Sequence, residues 1–157
     1  MTPSEAEIER AVQAGTEELL ARVGAAFLSQ EGWANQLRAV AYEMLRFLRE
    51  DEVRARLMVI EAPDAGPATV AIREQGIAGL TELIDLGRQE LDDPDSVPRS
   101  AAEIAAGVIY NRLHVGVEQG VESLDAEMVR ELMYTAVLPY FGVEVALEEL
   151  RIPPPGD

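Results

Sequence analysis

Apolar residues recur along this chain at three- and four-residue intervals, and no segment shows the period-two alternation of a half-buried strand. Ile8, Val12, Leu19, Leu20, Val23 and Phe27 form one such series. It follows Thr2-Pro3-Ser4-Glu5, a cap and an acidic first turn, so a helix is predicted from Glu5 to Phe27 with Gly15 and Gly24 as weak points. A second helix follows Gln30-Glu31-Gly32. It turns Trp33, Leu37, Val40, Ala41, Met44 and Leu48 to a core and Arg38, Arg46 and Arg49 away from it. A short third helix, Asp51 to about Glu61, is stopped by Pro63. The fourth runs from Pro67, a residue suited to a first helical turn, to about Leu91. After the acidic, proline-broken loop "DDPDSVPRS", Ser100 and Glu103 have the spacing of a capping box for a fifth helix reaching Gly120. Ser123 opens the sixth, which ends at Pro139 or bends through it. These elements predict an all-α bundle of about six helices, a single domain over residues 1–150 with a disordered tail, "RIPPPGD", over 151–157.

The last two helices break the pattern of the others. A helix on the surface of a monomer shows an apolar stripe to the core and a polar back to water. Asp125, Glu127, Arg130 and Glu131 begin the sixth helix that way, but from Leu132 to Phe141 Thr135 is the one clearly polar position. The fifth, rich in alanine, is similarly apolar. Such a pair is either central in a monomeric bundle or covered on its second side by a twofold copy. The excess of apolar surface favours the copy, with two helices from each subunit in the interface. The expected contacts are Ala102, Ala106, Ile109, Leu132, Met133, Ala136, Val137, Tyr140 and Phe141.

Composition narrows the choice of partners. Twenty-nine acids face 13 basic residues, all arginine, for a net charge of −16. That balance repels phosphate backbones and anionic membrane surfaces, and no predicted helix carries a basic stripe, so no direct nucleic-acid contact is expected. No apolar run approaches the ~18–20 residues of a membrane helix, and the acidic start lacks the apolar core of a signal peptide. With no cysteine there is no disulfide framework. The expectation is a cytoplasmic protein.

Motifs for catalysis are missing: there is no HExxH, phosphate loop, G-x-S-x-G or cysteine nucleophile, so no enzymatic activity, metal site or cofactor is expected. His114, the single histidine, has Glu118 as its sole carboxylate neighbour one turn away, too little for a metal site. It does share one side of an apolar helix with Asn111, and polar groups placed there need partners. Arg73 falls close to the Val70–Ile77 stripe and must snorkel, pair with an acid or meet an anion.

Two stretches carry a resemblance, "WANQLRAVAYEMLRFLREDEVRARLMVIE" and "SAAEIAAGVIYNRLHVGVEQGVESLDAEMVRELMYTAVLPYFGVEVA". They resemble the C-terminal regulatory domain of TetR/AcrR-family transcriptional repressors in three features. A Trp-led helix runs into an acidic turn, an alanine-rich helix opens at "AAEIAAG", and a last helix ends in Leu-Pro-Tyr-Phe-Gly. The likeness spans about Glu17 to Leu147. It implies a homodimer with a four-helix interface and a small, mostly apolar effector held inside the preceding helices. On that basis Trp33, Tyr42, Met44, Arg73, Asn111 and His114 are the expected ligand-binding set. The basic helix-turn-helix of such repressors has no counterpart here, and the first helix resembles the one that leads out of it. Two functions follow as expectations: an effector-binding, dimerising regulatory domain, or a stand-alone interaction protein that heterodimerises with a full-length relative and titrates it from DNA.

Overall fold

The computed structural model describes residues 2–156; Met1 and Asp157, the outer ends of the expected domain and tail, lie outside them. All regular structure among the described residues is helical. Six α-helices follow in order: α1 (Glu5–Leu28), α2 (Trp33–Glu50), α3 (Glu52–Arg56), α4 (Pro67–Asp85), α5 (Ser100–Gln119) and α6 (Ala126–Glu149). The all-α bundle expected from periodicity is the architecture observed.

Local chemistry accounts for the boundaries. At α1 the Ser4 hydroxyl accepts the Glu7 N–H at 3.2 Å while the Glu7 carboxylate accepts the Ser4 N–H at 2.7 Å, a complete capping box. The box expected at Ser100 is not made, because Ser100 already lies inside the first turn and Arg99 occupies the cap position. Ser123 does not open α6 either. Its hydroxyl donates to the Gly116 and Gly120 carbonyls behind it, and Asp125 caps α6 by accepting the Met128 N–H at 3.0 Å. The third helix is shorter than expected: after Arg56 it loosens into a π-helical turn over Leu57–Glu61. α4 likewise stops at Asp85 and tightens into a 3₁₀ turn, Leu86–Glu90, where Gly87 lies under the Trp33 indole with no room for a Cβ.

The bend in α6 is not at Pro139. The helix carries that proline and breaks at Gly142, whose φ of 86° is open to glycine at little cost. Beyond it the chain turns back along α2. Glu149, buried, pairs with Arg38 at 2.7 Å, and Pro154 then lies beside Tyr42. Of the tail expected to be disordered, Ile152 is half-buried, while Arg151, Pro153 and Pro154 are exposed and the chain is without regular structure from Ile152 to Gly156.

Leu37, Leu45, Phe47 and Leu48 of α2 meet Ile84 of α4, Leu113 and Val117 of α5, and Val129, Met133 and Val137 of α6 in one core. Each such side chain contributes about 1.5–3 kcal/mol on burial. A smaller cluster, Ile8 and Val12 of α1 with Ala62 and Ala65, sits beside it, and Met58 of the π turn packs against both. Polar links hold α1 to α2: Arg22 reaches Glu43 at 2.6 Å and Glu50 at 2.7 Å, which holds the Glu50 carboxyl below its ordinary range.

Candidate functional site

The α5–α6 hairpin has an apolar inner face and an outer face on which apolar residues are interspersed with Asn111, Arg112, Glu118, Glu127 and Glu131. Its inner face holds Ala102, Ala106, Ile109, Leu132, Met133, Ala136, Val137 and Tyr140, all buried within the single chain. These eight were expected at the dimer interface, and that assignment is corrected: buried by their own subunit, they have no surface left for a partner. Tyr140 shows the reason in detail. Its ring meets Trp33 edge-on at 5.4 Å, and its hydroxyl donates to Asp85 at 3.0 Å. Burial and that carboxylate together raise the phenol above its usual range. Phe141, the ninth, is half-buried against Trp33 at 5.8 Å.

The outer face is where unpartnered apolar surface remains. Ile104 is 67% exposed, Val108 43% and Leu138 36%, with Gly107 open beside them. Arg112 pairs with Glu131 across the hairpin and so fixes its antiparallel register. One to two turns from that pair, Val108 comes level with Thr135, and Ile104 with Leu138. Val143, Val145 and Leu147, also exposed, continue the apolar surface beyond Gly142. The signal for this face was present in the sequence, since 104, 108 and 115 make a second apolar stripe on α5. The stripe with more alanine was read as the interface. In fact the smaller residues pack inward, where helix axes must come close.

The six expected ligand-binding residues do not converge on one cavity. Trp33 is an anchor with every polar atom used: its Nε1–H donates to the Leu83 carbonyl at 2.9 Å and its backbone N–H to Glu90 at 2.7 Å. Asn111 is exposed on the outer part of α5 rather than inside, and His114 is half-buried on the same helix. Arg73 lies over the Tyr110 ring at 4.8 Å, a cation–π contact between α4 and α5, and its buried Nε has no partner among the described residues. Met44 alone of the six lines the void at the bundle centre, with Leu37, Leu80, Ile109 and Met133 among its neighbours. That void is about 20 Å³ and wholly apolar, room for about one water but without groups to hold it. Tyr42 faces elsewhere, into a larger cleft at the far end of α2.

No helix among the described residues is long and apolar enough to cross a membrane. Comparison of the chain with protein-family models, curated proteins and solved structures gave no match.

Proposed function

We propose that this chain is the dimerising, effector-responsive domain of a TetR-like transcriptional regulator. The observation that carries the reading is the outer face of the α5–α6 hairpin, where Ile104, Val108 and Leu138 are left in water by their own subunit. A chain of net charge −16 meets a copy of itself at least cost where charge is sparse. Around Ile104, Val108 and Leu138 the charges are Arg112 and Glu131, which neutralise each other, while Glu118 and Glu127 lie toward the hairpin's closed end. A twofold pairing of two hairpins into four helices covers those apolar side chains on both copies at once.

The effector half of the proposal rests on the central void. Its walls come from α2, α4, α5 and α6, and an apolar molecule enters by widening it. Widening would press on the π turn at Leu57–Glu61, because Met58 packs against the main core on one side and the small α1 cluster on the other. Gly15 receives the Met58 thioether on α1, so movement of the turn is passed to the helix that would lead toward a DNA-reading domain.

Sedimentation at micromolar concentration tests the dimer. Two copies in the wild type, and one folded copy in Val108→Glu, are expected. A wild-type chain that sediments as a monomer across that range removes the basis of the proposal.

A further inference from the structure

A second depression lies away from both the hairpin's outer face and the central void. It is a cleft of about 390 Å³ between the second half of α2, the first residues of α6 and the returning tail. That volume is in the range of small-molecule sites. Leu45, Leu124, Ala126 and Pro154 give it apolar walls, and Tyr42, Arg46, Arg49, Glu50 and Asp125 its polar ones.

Charge pairing in the cleft is uneven. Glu50, at its edge, is held by Arg22 at 2.7 Å, and Arg46 is held by Glu43 at 2.7 Å. Asp125 accepts the Met128 N–H at the start of α6, where helix polarity favours a negative charge. Arg49 is different. No carboxylate among the described residues lies within ion-pair distance of it, and its one polar contact is a long 3.4 Å donation to the Leu124 carbonyl. In a chain where acids outnumber arginines 29 to 13, an exposed guanidinium that none of the cleft's own acids engages is an open position for one. Tyr42 also lines the cleft, and its hydroxyl is buried with no partner among the described residues. A buried hydroxyl in that state costs about 1–3 kcal/mol until something reaches it.

We propose that this cleft binds a small amphipathic monocarboxylate, with its head group on the Arg49 guanidinium and its apolar body along Leu45, Leu124 and Pro154. One uncommitted cation suits one negative charge, and the net charge of the chain disfavours phosphates and other multiply charged anions. Guanidinium and carboxylate match in planar, two-bond geometry. The proposal does not depend on the dimer or on the central void: the cleft is at the closed end of the α5–α6 hairpin, and Ile104 and Leu138 are at its open end.

Calorimetric titration of the full chain with sodium decanoate and with 1-decanol separates the head group from the apolar body. Saturable one-site binding is expected, with decanoate at least about tenfold tighter than decanol, the gain of one charge-assisted contact. Arg49→Gln should erase that preference and leave decanol binding unchanged. Because Arg49 also touches Leu124, Arg46→Glu provides a second arm. That side chain is 60% exposed, so reversing its charge at the cleft edge leaves the core intact. It should weaken decanoate by about threefold at low salt without affecting decanol. Equal affinity for acid and alcohol, a preference that survives Arg49→Gln, or no saturable decanoate binding up to millimolar concentration would each overturn the proposal.

Discussion

The two faces of the α5–α6 hairpin are built from similar residue types and have opposite fates. On the inner face Ala102, Ala106, Met133 and Val137 are closed off by α2 and α4, and the one polar group there, the Tyr140 hydroxyl, has found Asp85. On the outer face Ile104, Val108 and Leu138 keep 67%, 43% and 36% of their surface exposed. Hydrophobicity alone therefore does not tell a buried face from an exposed one. Side-chain size does more: alanines face inward because helices can approach closely over them, while the branched residues outside are suited to interlocking with a second surface.

The comparison breaks most sharply under a charge. Glutamate at Val137, which is 1% exposed, would place a carboxylate among Met133, Val129 and their neighbours with no cation at hand. We expect a loss of about 4 kcal/mol or more, enough to unfold a marginal domain, read as missing near-ultraviolet circular dichroism. The same change at Val108 should leave the helices and their cooperative melting intact while raising the dissociation constant of the proposed dimer by at least about a hundredfold. If Val108→Glu unfolds the chain and Val137→Glu merely dissociates it, the assignment of the two faces is reversed.

How far the sequence alone could reach is visible in these same residues. Period 3.6 located six helices, because burial of a stripe is encoded in spacing. It could not rank two apolar stripes on one helix, since that depends on what the remaining helices bring to each side. Helix ends were less legible for a related reason. Ser100 and Ser123 have the composition of caps, but their positions are set by the loop entering from Arg99 and by the carbonyls of Gly116 and Gly120. Gly142 outweighed Pro139 because a positive φ reverses a chain, whereas a proline removes one hydrogen bond. The ligand set was least legible. Trp33, Arg73 and Asn111 share helical spacing with a cavity wall, yet their partners, Leu83, Tyr110 and solvent, are contributed by tertiary structure.

A gentler probe of the inner face is its acid dependence. Asp85 accepts from Arg88 at 2.6 Å and from Tyr140, with Arg99 nearby, and these contacts hold its carboxyl below the ordinary range. A folded pKa below the unfolded one means stability that is fully present at neutral pH and is lost as pH falls through the folded value, below about 4. Asp85→Asn should cost about 2 kcal/mol at pH 7, and its melting temperature should converge on that of the wild type as both are taken toward pH 3. A gap that persists unchanged into acid would mean that the Asp85 charge does not anchor Tyr140.

The smallest effect belongs to the outer face and sharpens the comparison most. Arg112 and Glu131 are each 46% exposed, so their pair should contribute about 0.2–1 kcal/mol to an isolated subunit and fade with salt. Arg112→Ala should accordingly lower the melting temperature of the monomeric Val108→Glu background by at most a few degrees. In the wild-type background the same substitution has a second consequence. If two hairpins meet across this face, water is displaced around the pair, and truncating Arg112 leaves Glu131 partly desolvated without a counter-charge in each copy. Dimer affinity should then fall by clearly more than the monomer's stability does. Equal costs in the two backgrounds would place the Arg112–Glu131 pair in open water and move the twofold contact away from it, toward Ile104, Leu138 and the apolar segment past Gly142.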